Sequence, residues 1–181
     1  DRNTTGLVIF GKNSTSLQTL NEMIRDKNRI NKYYLTIVKG EINKPLLLKD
    51  KMEKDCSTNK VSVLPMDSEE GKIMETIVTP IKSANGYSLV EVKIITGRTH
   101  QIRAHLAKSG HPVIGDVKYG DKTVNKKMLK EFNLSTQLLH AYKLEFKECI
   151  GELKYLEGKI IISELPEDFE IIKDEFFGNS N

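Results

Sequence analysis

The chain has no tryptophan, only two cysteines and only five prolines among its 181 residues. Cys56 and Cys149 are too few and too scattered for a disulfide framework or a zinc site, so two reduced thiols are expected. No apolar run approaches the ~20 residues of a membrane-spanning helix, which removes a membrane partner from the expectations. Low-complexity linkers and internal repeats are also missing, and with 38% hydrophobic and 29% charged residues the composition is that of an ordinary globular protein. A chain of this length can bury one sizeable core, so residues 1–181 are expected to form one domain. The most informative absence is local. No acidic residue occurs between Glu91 and Asp116.

Across that gap and just past it, residues 96–120 read TGRTHQIRAHLAKSGHPVIGDVKYG, with two arginines, two lysines, three histidines and four glycines around one short amphipathic segment. Lys118, Lys122, Lys126, Lys127 and Lys130 follow. The net charge of +3 hides this concentration, because the tail beyond Ser163 is acidic. Positive charge gathered beside tight turns points to a docked polyanion.

Periodicity predicts more strands than helices. Leu7–Phe10, Lys32–Lys39, Val61–Leu64, Ile73–Thr79, Tyr87–Ile95, Leu138–Phe146 and Ile160–Ile162 read as strands. Val90, Val92 and Ile94 mark a well-buried face in the fifth of these. Helices are expected over Leu17–Lys27, capped by Ser14 or Ser16, over Gln101–Lys108, capped by Thr99 and ended at Gly110, over Val124–Phe132, and after Pro166, with Phe169, Ile172 and Phe176 inward. Residues 41–60 show no clear period apart from Leu46–Leu48. Strands that follow one another directly imply an α+β fold with a mixed, mostly antiparallel sheet and flanking helices.

Three stretches together carry a family resemblance. DRNTTG at 1–6, KYYLTIVKG at 32–40 and the 96–120 block resemble, in that order, the RluA-type pseudouridine synthases. That family's pattern runs HRLD-x-x-TSG, K-x-Y-x-x-x-V-x-G, TGR-x-HQIR-x-H and GHP-x-x-GD-x-x-YG. PLLLKD at 45–50 and GKIMET at 71–76 resemble the RluC-like branch. The departures are Asn3 and Thr5 for the usual Asp and Ser, Thr36 for the usual Ala, and no His-Arg-Leu ahead of Asp1. The resemblance therefore implies a catalytic domain lacking its N-terminal part. A free α-ammonium beside Asp1 would perturb its charge, so impaired activity is expected of the chain taken alone.

The resemblance also implies a fold and a chemistry: a pseudouridine synthase sheet crossed by an RNA cleft, isomerising uridines of large-subunit ribosomal RNA in the cytoplasm, as a monomer without metal or organic cofactor. Asp1 matches the catalytic aspartate, as nucleophile or as the anion that stabilises a cationic sugar. Tyr34 matches the tyrosine that stacks on the target uracil and helps take its C5 proton. Arg103 matches the arginine that pairs with the aspartate. Arg98 and His100, with Lys118, Lys122, Lys126 and Lys127, are the candidate RNA contacts. From residue types alone, Asp1 reads as an ordinary turn aspartate, Tyr34 as half-buried packing and the lysines as a solvated helix face. His100 and His105 sit about 140° apart on a helix, unlike the i, i+4 pair of a zinc helix. Two other readings stay open: a module of the same fold that binds RNA without turnover, and a hydrolase using Asp1 in a carboxylate pair.

Overall fold

Along the strand Ile30–Lys39 the side chains divide between two cores. Ile37 packs with Leu89, Met128 and Phe169, while its neighbour Val38 packs with Val90, Val92, Ile102 and Leu106. Successive strand residues point to opposite faces, so these clusters lie on the two sides of one sheet. The computed structural model describes residues 1–27, 29–55 and 60–178. Cys56, one of the two expected thiols, lies outside the described residues; Cys149 is a buried free thiol.

The elements are β1 (Thr5–Gly6), α1 (Ser14–Arg25), β2 (Ile30–Lys39), β3 (Leu46–Asp55), β4 (Lys60–Leu64), β5 (Lys72–Ala84), β6 (Tyr87–Ile94), α2 (Gln101–Lys108), α3 (Lys122–Phe132), β7 (Leu139–Phe146), β8 (Ile160–Ile162) and α4 (Glu167–Phe177). The sheet order is β1-β7-β2-β6-β5-β3-β4, with β8 also pairing β7. Among the described residues, only β1 against β7 is parallel. The fold is α+β with a mixed, mostly antiparallel sheet, as the strand-rich pattern implies. On one face, α3 and α4 close the cluster of Ile37, Tyr87, Leu89, Met128 and Phe169, with Tyr87 and Phe176 stacked 4.3 Å apart. On the other face, α2 lays Ile102 and Leu106 on Val78, Val90 and Val92, and the partly buried Tyr34 joins them.

The β2–β7 ladder contains an irregularity. Tyr33 faces Lys143 but Tyr34 faces Ala141, so Tyr142 is an extra residue in β7. On its other side β2 runs against β6 in unbroken register, with Tyr33 opposite Lys93 and Tyr34 opposite Val92. A bulge of this kind locally adds a residue to one strand.

Some local expectations are corrected. Leu7–Phe10 is not a strand; the pairing stops at Gly6, and Val8 and Phe10 stand exposed. The cap of α1 is Asn13, whose side chain accepts from the Ser16 N–H while the Ser16 hydroxyl accepts from the Asn13 N–H. β3 occupies much of the stretch without clear period. Its neighbours are β4 and β5, and the alternation is interrupted by Leu47, exposed on the outer side, and by Asp50, which reaches His105 and Lys108 on the inner side.

Candidate active site

Asp1 is brought to the sheet by the first turn. Thr5 and Gly6 run parallel to His140 and Ala141, and the Leu7 N–H donates to the Ala141 carbonyl at 2.8 Å. Gly6 has φ +97°, and a Cβ there would stand 2.2 Å from the Ala141 oxygen, so the close approach needs glycine. The Thr5 hydroxyl meets His140 Nδ1 at 2.8 Å and the Gln137 side chain donates to the Arg2 carbonyl at 2.7 Å, which ties both ends of the segment.

The Asp1 carboxylate is then only 17% exposed. Its Oδ2 is 3.5 Å from Arg103 Nη1, and its Oδ1 accepts the His100 backbone N–H at 3.3 Å and lies 3.9 Å from His100 Nε2. Asp1, Tyr34, Arg98 and His100 line one cavity of about 330 Å³, together with Lys32 and Gln101. That is the lower end of the small-ligand range, with room for one nucleoside. A larger groove of about 620 Å³ adjoins it through Gly97 and Arg98 and carries Lys54 and Lys72.

Arg103 has a second and closer partner. Its Nε donates to Asp116 Oδ2 at 2.6 Å and its Nη2 to Asp116 Oδ1 at 2.8 Å. In the sequence Asp116 stands out only as the GD aspartate of the GHP-x-x-GD-x-x-YG pattern. Asp116 is fully buried and also accepts the N–H groups of Lys118 and Tyr119. Burial alone would raise its carboxyl, but the Arg103 guanidinium and those N–H groups outweigh burial and hold it below the usual carboxylate value. The Arg103 guanidinium also lies 5.3 Å from the Tyr119 ring centre.

Thr99 does not cap α2. The cap position is His100, in the left-handed region at φ +53°, with no side-chain cap bond. The turn is closed from inside the helix. The Gln101 oxygen accepts from the Thr96 hydroxyl at 2.7 Å and from the Arg98 N–H at 3.0 Å, and its nitrogen donates to the Glu75 carbonyl and to Thr76. Gln101 thereby fixes the loop that carries Arg98. Burial, followed by the nearby charges of Arg103 and Lys118, pushes His100 down to about 4, so its ring is neutral at pH 7. Burial raises the Tyr34 hydroxyl above its usual value and lowers Lys32. Lys32 was quoted in the sequence only as a motif residue. It shares Tyr34's side of β2 by the two-residue period, which is the signal that could have placed it in the cavity.

Among the candidate RNA contacts, Arg98 and His100 line the cavity, and the charge of Lys118 bears on His100. Lys122, Lys126 and Lys127 are exposed on α3, whose Met128 packs on the sheet face opposite Tyr34. Among the described residues, no group of three His, Cys, Asp or Glu side chains could hold a metal ion, and no helix is long and apolar enough to cross a membrane.

A family model described as RNA pseudouridylate synthase matches residues 1–108. Ribosomal large subunit pseudouridine synthase C of Haemophilus ducreyi is 35% identical over 153 residues, 81% of this chain and 45% of that protein. Ribosomal large subunit pseudouridine synthase D of Borreliella burgdorferi is 33% identical over 178 residues, 98% of this chain and 50% of that protein. The chain thus spans about half the length of the curated relatives it matches. Among solved structures, human RNA pseudouridylate synthase domain containing 1 superposes with a TM-score of 0.63 at 20% identity, covering 91% of this chain and 72% of that one, a likeness of fold.

Proposed function

Since the chain belongs to the RNA pseudouridylate synthase family, we propose that residues 1–181 act as one catalytic domain that isomerises uridine to pseudouridine in RNA. The observation that carries this reading is the cavity in which a carboxylate, an aromatic ring and two cationic side chains meet. Large-subunit ribosomal RNA is the substrate we assign, following the names of the relatives, with a cytoplasmic monomer as the working form.

The reaction breaks the bond from C1′ of the ribose to N1 of uracil, turns the base and joins C1′ to C5, while N1 takes up a proton and C5 loses one. In this reading Asp1 meets the sugar as it becomes electron-poor at C1′, either by bonding to it or as a facing anion. Arg103 and the His100 N–H steady the carboxylate. Tyr34 offers its ring face to the flipped base. Burial keeps its hydroxyl protonated at neutral pH, which favours stacking over a resting role as base. The groove past Arg98, with Lys54 and Lys72, suits the backbone of the strand that leaves the cavity.

The test is the full gene product with ribosomal RNA carrying tritium at uridine C5. Tritium release and a pseudouridine product are expected. Tight binding without release would favour the RNA-binding module, and strand or glycoside cleavage would favour the hydrolase.

RNA affinity should also fall with salt, because neutralised phosphates release their counterions. We assign phosphate contacts to Arg98 and Lys118 beside the cavity, and to Lys122, Lys126 and Lys127 where the strand passes the 115–120 turn. Neutralising either set should reduce the slope of log K against log salt by about one for each side chain that touches a phosphate. Titrations at several salt concentrations measure each set separately. An unchanged slope for the α3 set would assign that helix to solvent.

A further inference from the structure

The Tyr119 hydroxyl lies between two nitrogens. It accepts the Val61 backbone N–H at 2.9 Å, and it is 2.9 Å from His100 Nδ1. A phenol has one hydrogen to donate. With the oxygen already receiving Val61, that hydrogen is satisfied by donation to His100 Nδ1. The opposite arrangement would spend an Nδ1–H on an oxygen that already accepts, and would leave the phenolic hydrogen without an acceptor in a half-buried place. Burial raises the Tyr119 hydroxyl, so it keeps its hydrogen at neutral pH. The ring is held in place by β4 through Val61 and by the Arg103 guanidinium 5.3 Å from its centre.

With Nδ1 accepting, the imidazole hydrogen sits on Nε2, the nitrogen 3.9 Å from Asp1 Oδ1. His100 also lines the cavity. We propose that Tyr119 locks His100 as the Nε2–H tautomer, and that His100 thereby serves the reaction as a hydrogen-bond donor to the Asp1 carboxylate oxygen that Arg103 does not face. The proposal rests on the cavity being the reaction site. The 3.9 Å separation is beyond a hydrogen bond in the free protein. Such contacts commonly tighten when substrate closes the site. A neutral donor has a physical advantage over a second cation here. It orients the carboxylate without competing with the developing positive charge on the sugar.

The left-handed backbone at residue 100 supplies a clean test. Asparagine tolerates that conformation, so His100→Asn should fold. Its amide reaches only as far as the Nδ1 position. His100→Gln reaches the Nε2 position with an N–H. In the full gene product, His100→Asn should lower kcat for pseudouridine formation by about tenfold or more, as for loss of one buried donor. His100→Gln should recover much of that loss. ¹⁵N spectra of histidine-labelled protein, assigned by the signals lost in His100→Gln, should show an unprotonated Nδ1 and a protonated Nε2. Tyr119→Phe should shift that pattern toward the other tautomer and lower kcat. A protonated Nδ1 in the unmodified protein, or equal rates for the Asn and Gln variants, would overturn the proposal. If the unmodified protein forms no pseudouridine, the functional reading fails and the donor's role in the reaction fails with it. The tautomer is still decided by the spectra, which need no substrate.

Discussion

Asp1→Asn in the full gene product is expected to abolish pseudouridine formation, by about a thousandfold or more, while RNA affinity stays within about twofold. The amide keeps the shape of the carboxylate and can still accept the His100 N–H. It cannot bond to C1′ as a nucleophile, and it carries no charge to face a cationic sugar. Both open mechanisms therefore predict the same loss. The RNA contacts proposed above, the cationic rim and the Tyr34 ring, keep their side chains in this variant. Tritium release measures turnover and filter binding measures affinity. Turnover close to that of the unmodified protein would remove Asp1 from the chemistry.

The second large effect concerns stability. Asp116→Ala should cost about 3–5 kcal/mol, the range for removing one partner of a buried ion pair. Arg103 is 4% exposed and Asp116 is fully buried, so water cannot replace the lost carboxylate. The change also strips the N–H groups of Lys118 and Tyr119 of their acceptor. Asp1, at 3.5 Å from the guanidinium, is too distant to take over the bidentate contact without moving. Urea unfolding of Asp116→Ala, Arg103→Met and the double variant would measure the effect. The double variant should be less destabilised than the sum of the singles, because it leaves no unpaired buried charge. Additive losses would mean that the two side chains do not act as a pair.

That pair also shows what the sequence could and could not convey. Strand β6 was legible from its alternation, Val90 and Val92 against Leu89, and β2 from its run of tyrosine, isoleucine and valine. The α2 and α4 helices were legible from their apolar spacing. β3 was not, because Leu47 is exposed on its outer side and Asp50, on its inner side, reaches His105 and Lys108. At the site, motif spacing selected Asp1, Tyr34 and Arg103, yet it assigned Arg103 to Asp1 alone. The closer partner, Asp116, is 13 residues along the chain, and no local pattern distinguishes a carboxylate that closes a turn from one that also grips a guanidinium. The cap of α2 was missed for a similar reason. Thr99 is the better cap by residue type, but Gln101 closes the turn through bonds to residues in β5 and the preceding loop.

The extra residue in β7 sets a rule about chain length that differs from any rule about residue type. Tyr142 lets Leu139 and Ala141 face the cavity while Tyr142 and Lys143 both reach Glu91. Deleting one residue between Ala141 and Leu144 would put the two halves of the strand back into a single frame. Tyr142 has no partner in β2, so both halves would keep their present faces, with one residue still opposite Tyr33 and Ala141 still opposite Tyr34. A deletion elsewhere in the strand would instead turn the residues between it and the bulge onto the wrong face, several contacts at once. A library of single deletions along β7 should therefore keep its folded members at Tyr142 and Lys143 and lose them at the other positions.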